Sequence, residues 1–372
     1  MRILHVLDHS IPVHTAYSHR TLSLLRQQRA LGWHTIQLTG PAQGKVETED
    51  RNRDGWHFIR TRPGPEWLPP SLLARRMARR LRHAIRLSRP DLLHAHPPAL
   101  NAIAALWAGW RSDVPVLVEM HGGTRSAADN YIARAAAAVV TDSFALRAGL
   151  LAGGAAEGRI SVIPPAIDPA RQPAGPWPAY LPGQGGPLLA YAGPFGQRDG
   201  VHLLIAAMAP LLRVHPALRL VLAGAGPAQA QAQLMQLAGV HGAAVLFPGQ
   251  PERESLTAIY AAADLVLFPA LPTRSFMVAR KPLEAMAHGA LVLASDIGPH
   301  RELVDHGRNG ILFEAGSVDS LVESVLALLA EPGCMQPLRE RARTFAEVER
   351  GWETAARSYG PVYKRLLECV GR

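Results

Sequence analysis

The chain reads as two doubly wound α/β domains in succession, and three observations carry that expectation. Short runs of Leu, Val and Ile alternate with longer stretches of helical periodicity throughout. A proline- and glycine-rich stretch without periodicity, 163–188, interrupts the alternation near the middle. The length, 372 residues, suffices for two ordinary domains. Hydrophobic residues make up 48% and charged residues 19%, a globular balance that excludes a disordered chain. The expected boundaries are 1–168 for the first domain, 169–186 for a linker, 187–350 for the second domain and 351–372 for a terminal helix.

The first domain opens with the strand RILHVL, a polar turn-like stretch and a helix over about 19–31, stopped before Gly32. Further strands are expected at 34–39, 57–61, 91–95, 114–119, 138–141 and 160–163, with an exposed polar loop over 41–54. In parallel sheets ligands meet the loops that follow strand carboxyl ends. The first such loop, DHSIPVHTAYSHR, offers His14 as a general base or ligand contact, with Tyr17 beside it; a turn histidine without chemistry fits equally. HAHPPALN then places His96 after the fourth strand, and MHGG places His121 with Gly122 and Gly123 after the fifth. An imidazole there can hydrogen-bond a ligand hydroxyl, or simply be a packed or capping histidine.

The second half restarts with the strand LLAYAG, a helix over 201–214, the strand LRLVLAG and the turn GAGP. A helix from Ala228, a strand at 245–247, a helix at 253–262 and a strand at 265–268 follow. The segment 281–296, KPLEAMAHGALVLASD, carries the most chemistry. Pro282 suits a first helical turn; Leu283, Met286 and Ala287 share an apolar face, with Glu284 turned away from it. Gly289 suits a left-handed cap, and Leu291 to Ala294 read as a strand buried on both faces. Glu284 is therefore expected at a helix start, where free amides favour an anion, with Lys281 adding positive charge. A carboxylate for two sugar hydroxyls beside groups that hold phosphate fits a nucleotide diphosphate sugar. The plainer alternative is a capping glutamate without a ligand. A short helix at 300–304, a strand at 310–313 and further helices complete the chain.

The net charge is +9, and up to Asp168 there are 21 Lys and Arg against 13 Asp and Glu. Arg75, Arg79, Arg82 and Arg86 recur at helical spacing, while Leu73, Met77, Leu81 and Ile85 line a different side. Such a helix can lie against anionic lipid headgroups, or its arginines can simply be solvated. No aromatic interleaving or binding motif points to nucleic acid. Cys334 and Cys369 have no metal-ligand spacing and read as ordinary thiols, and no DxD pair suggests a metal. There is no apolar run of about 18 residues and no signal-peptide pattern before the first strand, so a cytoplasmic protein is expected, with the inner membrane face as an alternative. The first strand is not followed by GxGxxG, which argues against a nicotinamide-dependent dehydrogenase.

The LEAMA run of residues 283–287 resembles the donor-binding signature of retaining glycosyltransferases of family four, which have the GT-B fold of two facing Rossmann-like domains around a cleft. The opening MRILHVLDHS, His121 with its glycines, VIPPAID, GAGP, HRELV and NGILF resemble the same family. Four positions and one loop depart from it. Phe276, eight residues before Glu284, stands where a first glutamate is usual; Pro194 and Asp199 in GPFGQRDG replace an arginine and a lysine that clamp the diphosphate; Pro165 replaces an asparagine; and the first loop lacks a glycine pair. The resemblance implies transfer of a sugar, with retention, from a nucleotide diphosphate sugar of UDP or GDP type to a glycan or lipid-linked acceptor, without cofactor or metal. The donor would meet Gly193, Arg198, Gly224, Lys281, Pro282, Leu283 and Glu284, and the acceptor His14, Tyr17 and His96. His121, Lys281 and Glu284 would serve the reaction centre, and the final helix would pack back on the first domain. The opening, QQRALGW and KPLEAMA also resemble a narrower group associated with exosortase and exopolysaccharide gene clusters. Because of the departures, a non-catalytic scaffold is the competing expectation, with an epimerase or phosphorylase on the same fold as a third.

Overall fold

The computed structural model describes residues 1–44, 52–53, 55–63, 65, 67–122, 126–168, 185–272 and 280–370. Phe276, Gly123 and most of the expected linker lie outside them. The chain divides into two compact units, Met1–Ala166 with Trp352–Arg372, and Ile167–Arg274 with Val278–Gly351.

The first unit runs β1 (Arg2–Leu7), α1 (Ala16–Ala30), β2 (His34–Thr39), β3 (Asn52–Arg53), β4 (Trp56–Arg60), α2 (Pro70–Ser88), β5 (Leu92–Ala95), α3 (Ala99–Ser112), β6 (Val116–Met120), α4 (Ala127–Ala135), β7 (Ala138–Thr141), α5 (Phe144–Ala152) and β8 (Ile160–Val162). The sheet order is β3-β4-β2-β1-β5-β6-β7-β8. Every pairing is parallel except β3 with β4. Strands buried on both faces need apolar side chains at every position, with alternate residues serving opposite layers. Leu4, Val6, Leu93, Ala95, Val116 and Val118 pack on one face with Met77 and Leu81 of α2 and Ala105 of α3. Ile3, Leu92, Leu117 and Val140 pack on the other. That second face is covered by Leu24 of α1 and by Trp352, Tyr359, Tyr363 and Leu366 of α13 (Trp352–Val370). The terminal helix thus belongs to the unit built from the start of the chain.

The exposed loop expected over 41–54 is replaced in part by structure. Pro41–Gln43 form a 3-10 turn whose Gln43 is buried and accepts from the Ser10 N–H at 2.8 Å, and β3 pairs antiparallel to β4. Gly55, at φ 75°, sits between the two strands, and a two-residue strand is too short to show alternation.

The second unit runs β9 (Leu188–Ala192), α6 (Val201–Val214), β10 (Arg219–Ala223), α7 (Ala228–Ala238), β11 (Val245–Gly249), α8 (Arg253–Ala262), β12 (Leu265–Phe268), α9 (Arg280–Ala287), β13 (Val292–Ser295), α10 (Gly298–Arg301), β14 (Ile311–Phe313), α11 (Val318–Ala330) and α12 (Pro332–Thr344). Its sheet, β11-β10-β9-β12-β13-β14, is parallel throughout. Each unit therefore has a strand where the winding reverses, β1 against β5 and β9 against β12. At such switch points adjacent loops diverge and leave room for a ligand.

Candidate functional site

In the first unit, strand register assembles a polar centre inside an apolar face. His5 on β1 is the Cα partner of His94 on β5, and the β5–β6 register, Ala95 with Val118, continues to His96 beside Glu119. These four side chains share the face that α1 and α13 cover. All are buried, and Glu119 is the hub. Its Oε1 accepts from the Arg20 guanidinium, from the Tyr359 hydroxyl at 2.8 Å and from His121 Nε2 at 3.1 Å. Around Oε2 stand His96 Nδ1 at 2.7 Å and His94 Nε2 at 3.4 Å. The network continues from His96 Nε2 to His5 Nδ1 at 3.0 Å, and from His94 Nδ1 to the Tyr363 hydroxyl at 2.7 Å. Gln28 donates to the same hydroxyl at 3.0 Å.

The electrostatics follow from burial and from that partner set. Burial pushes the Glu119 carboxyl up, but Arg20, His96 and the hydrogen bonds from His121 and His94 outweigh it and hold the group well below the usual carboxylate range. Burial, then His94, pushes His96 down to about 3. His5 and His94 are lowered too, chiefly by burial. At neutral pH the buried part of the centre is thus one anion and one cation, with His5, His94 and His96 neutral around them.

Only one member of the centre reaches the surface appreciably. His121 is 29% exposed and lines a pocket of about 200 Å³ with Glu119, Pro97, Pro98, Asp129 and Leu146. Ionised Glu119 can only accept, so the nitrogen facing it, Nε2, carries a proton. Next in the chain, the Gly122 N–H donates to the Asp142 carboxylate at 3.2 Å.

The other residues expected here are placed differently. His96 is 1% exposed, so its ring is not available to an acceptor; strand pairing with β6 turns it inward to Glu119. The Tyr17 hydroxyl accepts from the Asp8 N–H at 2.9 Å, and its ring lies against His9. His14 is exposed, its ring against that of His19. Glu119, Arg20 and Tyr359 are members of the centre that the motifs do not mark. One signal for them exists: VLVEM puts a carboxylate inside an apolar strand buried on both faces, where an ionised group needs partners. Among the described residues, His5, His94 and His96 are the group whose ligand atoms lie close enough together to hold a metal ion, within 4.8 Å. Their nitrogens face Glu119, Tyr363 and one another, an arrangement that hydrogen bonding accounts for.

In the second unit the loops after β9 and β10 are locked together. The Gly193 N–H donates to Ala223 O and the Phe195 N–H to Ala225 O, both at 3.0 Å. A Cβ on Gly224 would lie 1.8 Å from Gly193 O, so no other residue fits there without moving the loop. The loops after β9 and β12, at the switch point, are tied as well: the Leu271 N–H donates to Arg198 O at 2.8 Å, and a Cβ on Gly200 would meet Pro269 O at 2.0 Å. Asp199, which stands where resemblance leads one to expect a lysine, turns back to accept from the Gly196 N–H at 2.8 Å, while Arg198 beside it is exposed. Burial raises the Asp199 carboxyl.

On α9, Lys281 Nζ donates to Glu284 Oε2 at 2.8 Å, and the two side chains are 44% and 37% exposed. Glu284 is the fifth of the eight described residues of α9. Pro282 and Leu283 are buried with Ala285 and Met286 on the apolar face, so their side chains cannot serve as donor contacts. Gly289, at φ 78°, follows the helix as the expected left-handed residue.

Two family models match the chain. The one described as "Glycosyl transferase 4-like domain" covers residues 15–166, and the one described as "Glycosyl transferases group 1" covers residues 186–331. The glycogen synthase of Mycobacterium tuberculosis is 30% identical over 295 residues, which span 74% of this chain and 69% of that protein. A D-inositol 3-phosphate glycosyltransferase of Nocardia farcinica is 32% identical over 208 residues, 52% of this chain and 45% of its own. Among solved structures, the sucrose-phosphate synthase of Thermosynechococcus elongatus superposes with a TM-score of 0.70 at 21% identity, covering 99% of both chains. Anabaena Alr3699/HepE, in complex with UDP, superposes with a TM-score of 0.74 at 17% identity, covering 98% of this chain and 100% of its own. At those identities the structural likeness speaks to the fold alone, which is GT-B.

Proposed function

Since this chain belongs to the glycosyltransferases of the group 1 and 4-like type, we propose that it moves a sugar from a nucleotide diphosphate sugar to a hydroxyl of a glycan or lipid-linked acceptor. We place the donor on the second unit and assign retention of configuration without a metal ion. The observation that carries the reading is the half-exposed Lys281–Glu284 pair on the helix that follows β12, at a switch point whose loops are locked by glycine contacts. An exposed pair of this kind is worth about 0–1 kcal/mol, so a ligand can open it at little cost. Glu284 then accepts from the ribose hydroxyls, and Lys281 with Arg198 meets the diphosphate.

In the reaction the bond from the sugar's anomeric carbon to the phosphate oxygen breaks, its electron pair leaving with the nucleotide. The acceptor oxygen bonds to that carbon and gives its proton to the departing phosphate. Positioned cations lower this barrier by stabilising charge as it develops, a role that needs no metal. His121 forms a hydrogen bond with a hydroxyl of the transferred sugar. UDP is the favoured nucleotide and GDP the second choice, because the Anabaena protein was solved in complex with UDP and with UDP-glucose. The opening, QQRALGW and KPLEAMA runs support a place in exopolysaccharide synthesis.

A donor screen on the purified full chain, read by mass spectrometry with and without EDTA, tests this reading. One nucleotide sugar should be consumed with release of its nucleotide, at a rate EDTA leaves unchanged. The altered GPFGQRDG loop favours one competing reading, a scaffold that binds no donor. Calorimetry that finds no nucleotide or nucleotide sugar bound would establish that alternative, and conversion of the donor's sugar without acceptor would establish an epimerase.

A further inference from the structure

Outside the His121 pocket of the same unit, α2 and α3 enclose a groove of about 520 Å³ lined by Arg75, Arg79 and Arg82 on one helix and Trp107, Trp110 and Arg111 on the other. The structure separates Arg86 from the other arginines of the α2 stripe, since it does not line the groove. The apolar side of α2, Met77, Leu81 and Ile85, is committed to the sheet, and the arginine stripe faces away from it. Among the described residues none of the four groove arginines has a carboxylate partner, and no acidic side chain lines the groove. Four guanidinium groups left unneutralised in one depression form a site for phosphate, which arginine binds through paired donors.

The apolar surroundings decide which phosphate. Trp110 is 80% exposed, with the Arg111 guanidinium 5.7 Å from its ring centre. On α2 itself Leu72, three residues before Arg75, is 43% exposed. A soluble phosphate would use the arginines and gain nothing from bare indole and leucine. A bilayer uses both, taking headgroup phosphates at the guanidinium level and indole rings at the interface. No helix among the described residues is long and apolar enough to cross a membrane.

We propose that this groove is where the protein docks on an anionic phospholipid surface, with a headgroup phosphate seated among Arg75, Arg79, Arg82 and Arg111 and Trp110 inserted beside it. This goes beyond the catalytic reading and does not depend on it. The test is co-sedimentation of the full chain with vesicles of phosphatidylcholine alone or mixed with phosphatidylglycerol, at low and high salt. The wild type should pellet only with the anionic vesicles, less so as salt rises. The triple variant Arg75→Ser, Arg79→Ser, Arg82→Ser should bind on the order of a hundredfold more weakly, at about tenfold or less per residue. Trp110→Ser should weaken vesicle binding several-fold while leaving the thermal midpoint unchanged. Absence of pelleting by the wild type, or equal pelleting by the variants, overturns the proposal. So does binding that Trp110→Ser does not alter and that inorganic pyrophosphate displaces, since the groove would then hold a soluble phosphate. Because pelleting requires no turnover, a failed donor screen and a failed docking test are separate results.

Discussion

Glu119 and Glu284 are both glutamates holding a cation on one carboxylate oxygen, yet the two units put them to opposite uses. Glu119 is 3% exposed with donors on every side, whereas Glu284 is 37% exposed with Lys281 as its partner. In the first case removing either charge leaves the other stranded in a dry interior; in the second, water replaces the lost partner. A buried pair therefore holds α13 and three strands in register, and an exposed one is free to exchange its partner for a ligand. Burial, more than residue type, separates the keystone from the binding group.

The sharpest way to break the comparison is Glu119→Ala. It strands the Arg20 guanidinium and frees the Tyr359 hydroxyl, so unfolding free energy should fall by about 3–5 kcal/mol, read from urea denaturation. A loss under about 1 kcal/mol would show that the hub is not structural.

Acid should separate the two regions next. His5, His94 and His96 have folded pKa values below their ordinary 6.5, His96 at about 3, so between those limits the unfolded chain binds more protons than the folded one. Stability is then lost as pH falls below 6.5, with a slope of up to about 1.4 kcal/mol per unit for each histidine. Glu119, whose folded pKa is depressed, adds its own loss only below the ordinary carboxylate value of 4.5. The thermal midpoint measured from pH 7.5 down to pH 5 should drop steadily. A flat profile would mean that the imidazoles are already charged in the folded state.

How much of this is legible in the chain alone follows from the range of each interaction. Local period and turn chemistry mark α6 at Val201–Val214 and α8 at Arg253–Ala262 to the residue, and nearly every strand to within one or two. They do not mark the antiparallel β3, because two residues carry no period. The Glu119 hub escapes for a different reason: a single charge closing an apolar run reads as the polar end of β6, and its partners Arg20 and Tyr359 lie 99 and 240 residues away. Only sheet register and the return of α13 bring them together. The Lys281–Glu284 contact, three residues apart on one helix, is legible at short range, yet a reading that gives each residue its own part of a ligand overlooks that they meet each other.

Glu284→Ala tests the exposed side. Turnover of the nucleotide sugar should fall by about a hundredfold, the order expected when a group that positions charge is removed, and Lys281→Ala should fall comparably. Unfolding free energy should change by less than about 1 kcal/mol in both variants, because the lost pair is solvated. A stability loss as large as that of Glu119→Ala would erase the distinction between the two glutamates. Unchanged turnover would remove Glu284 and Lys281 from the donor site.

The smallest expected effect is the most discriminating. Tyr359→Phe deletes one hydroxyl from α13 and leaves the ring packed against Tyr363 and His94. Its hydrogen bond goes to an ionised carboxylate, so about 1.5–3 kcal/mol of stability should be lost, toward the lower end because Arg20 still neutralises Glu119. The same Oε1 also holds His121 Nε2, and losing one donor there leaves that oxygen more available to the imidazole. The variant should therefore keep a proton on His121 Nε2, visible in the nitrogen chemical shifts of the ring. A shift toward the Nδ1-protonated form would show that α13, through Tyr359, sets the pose of His121.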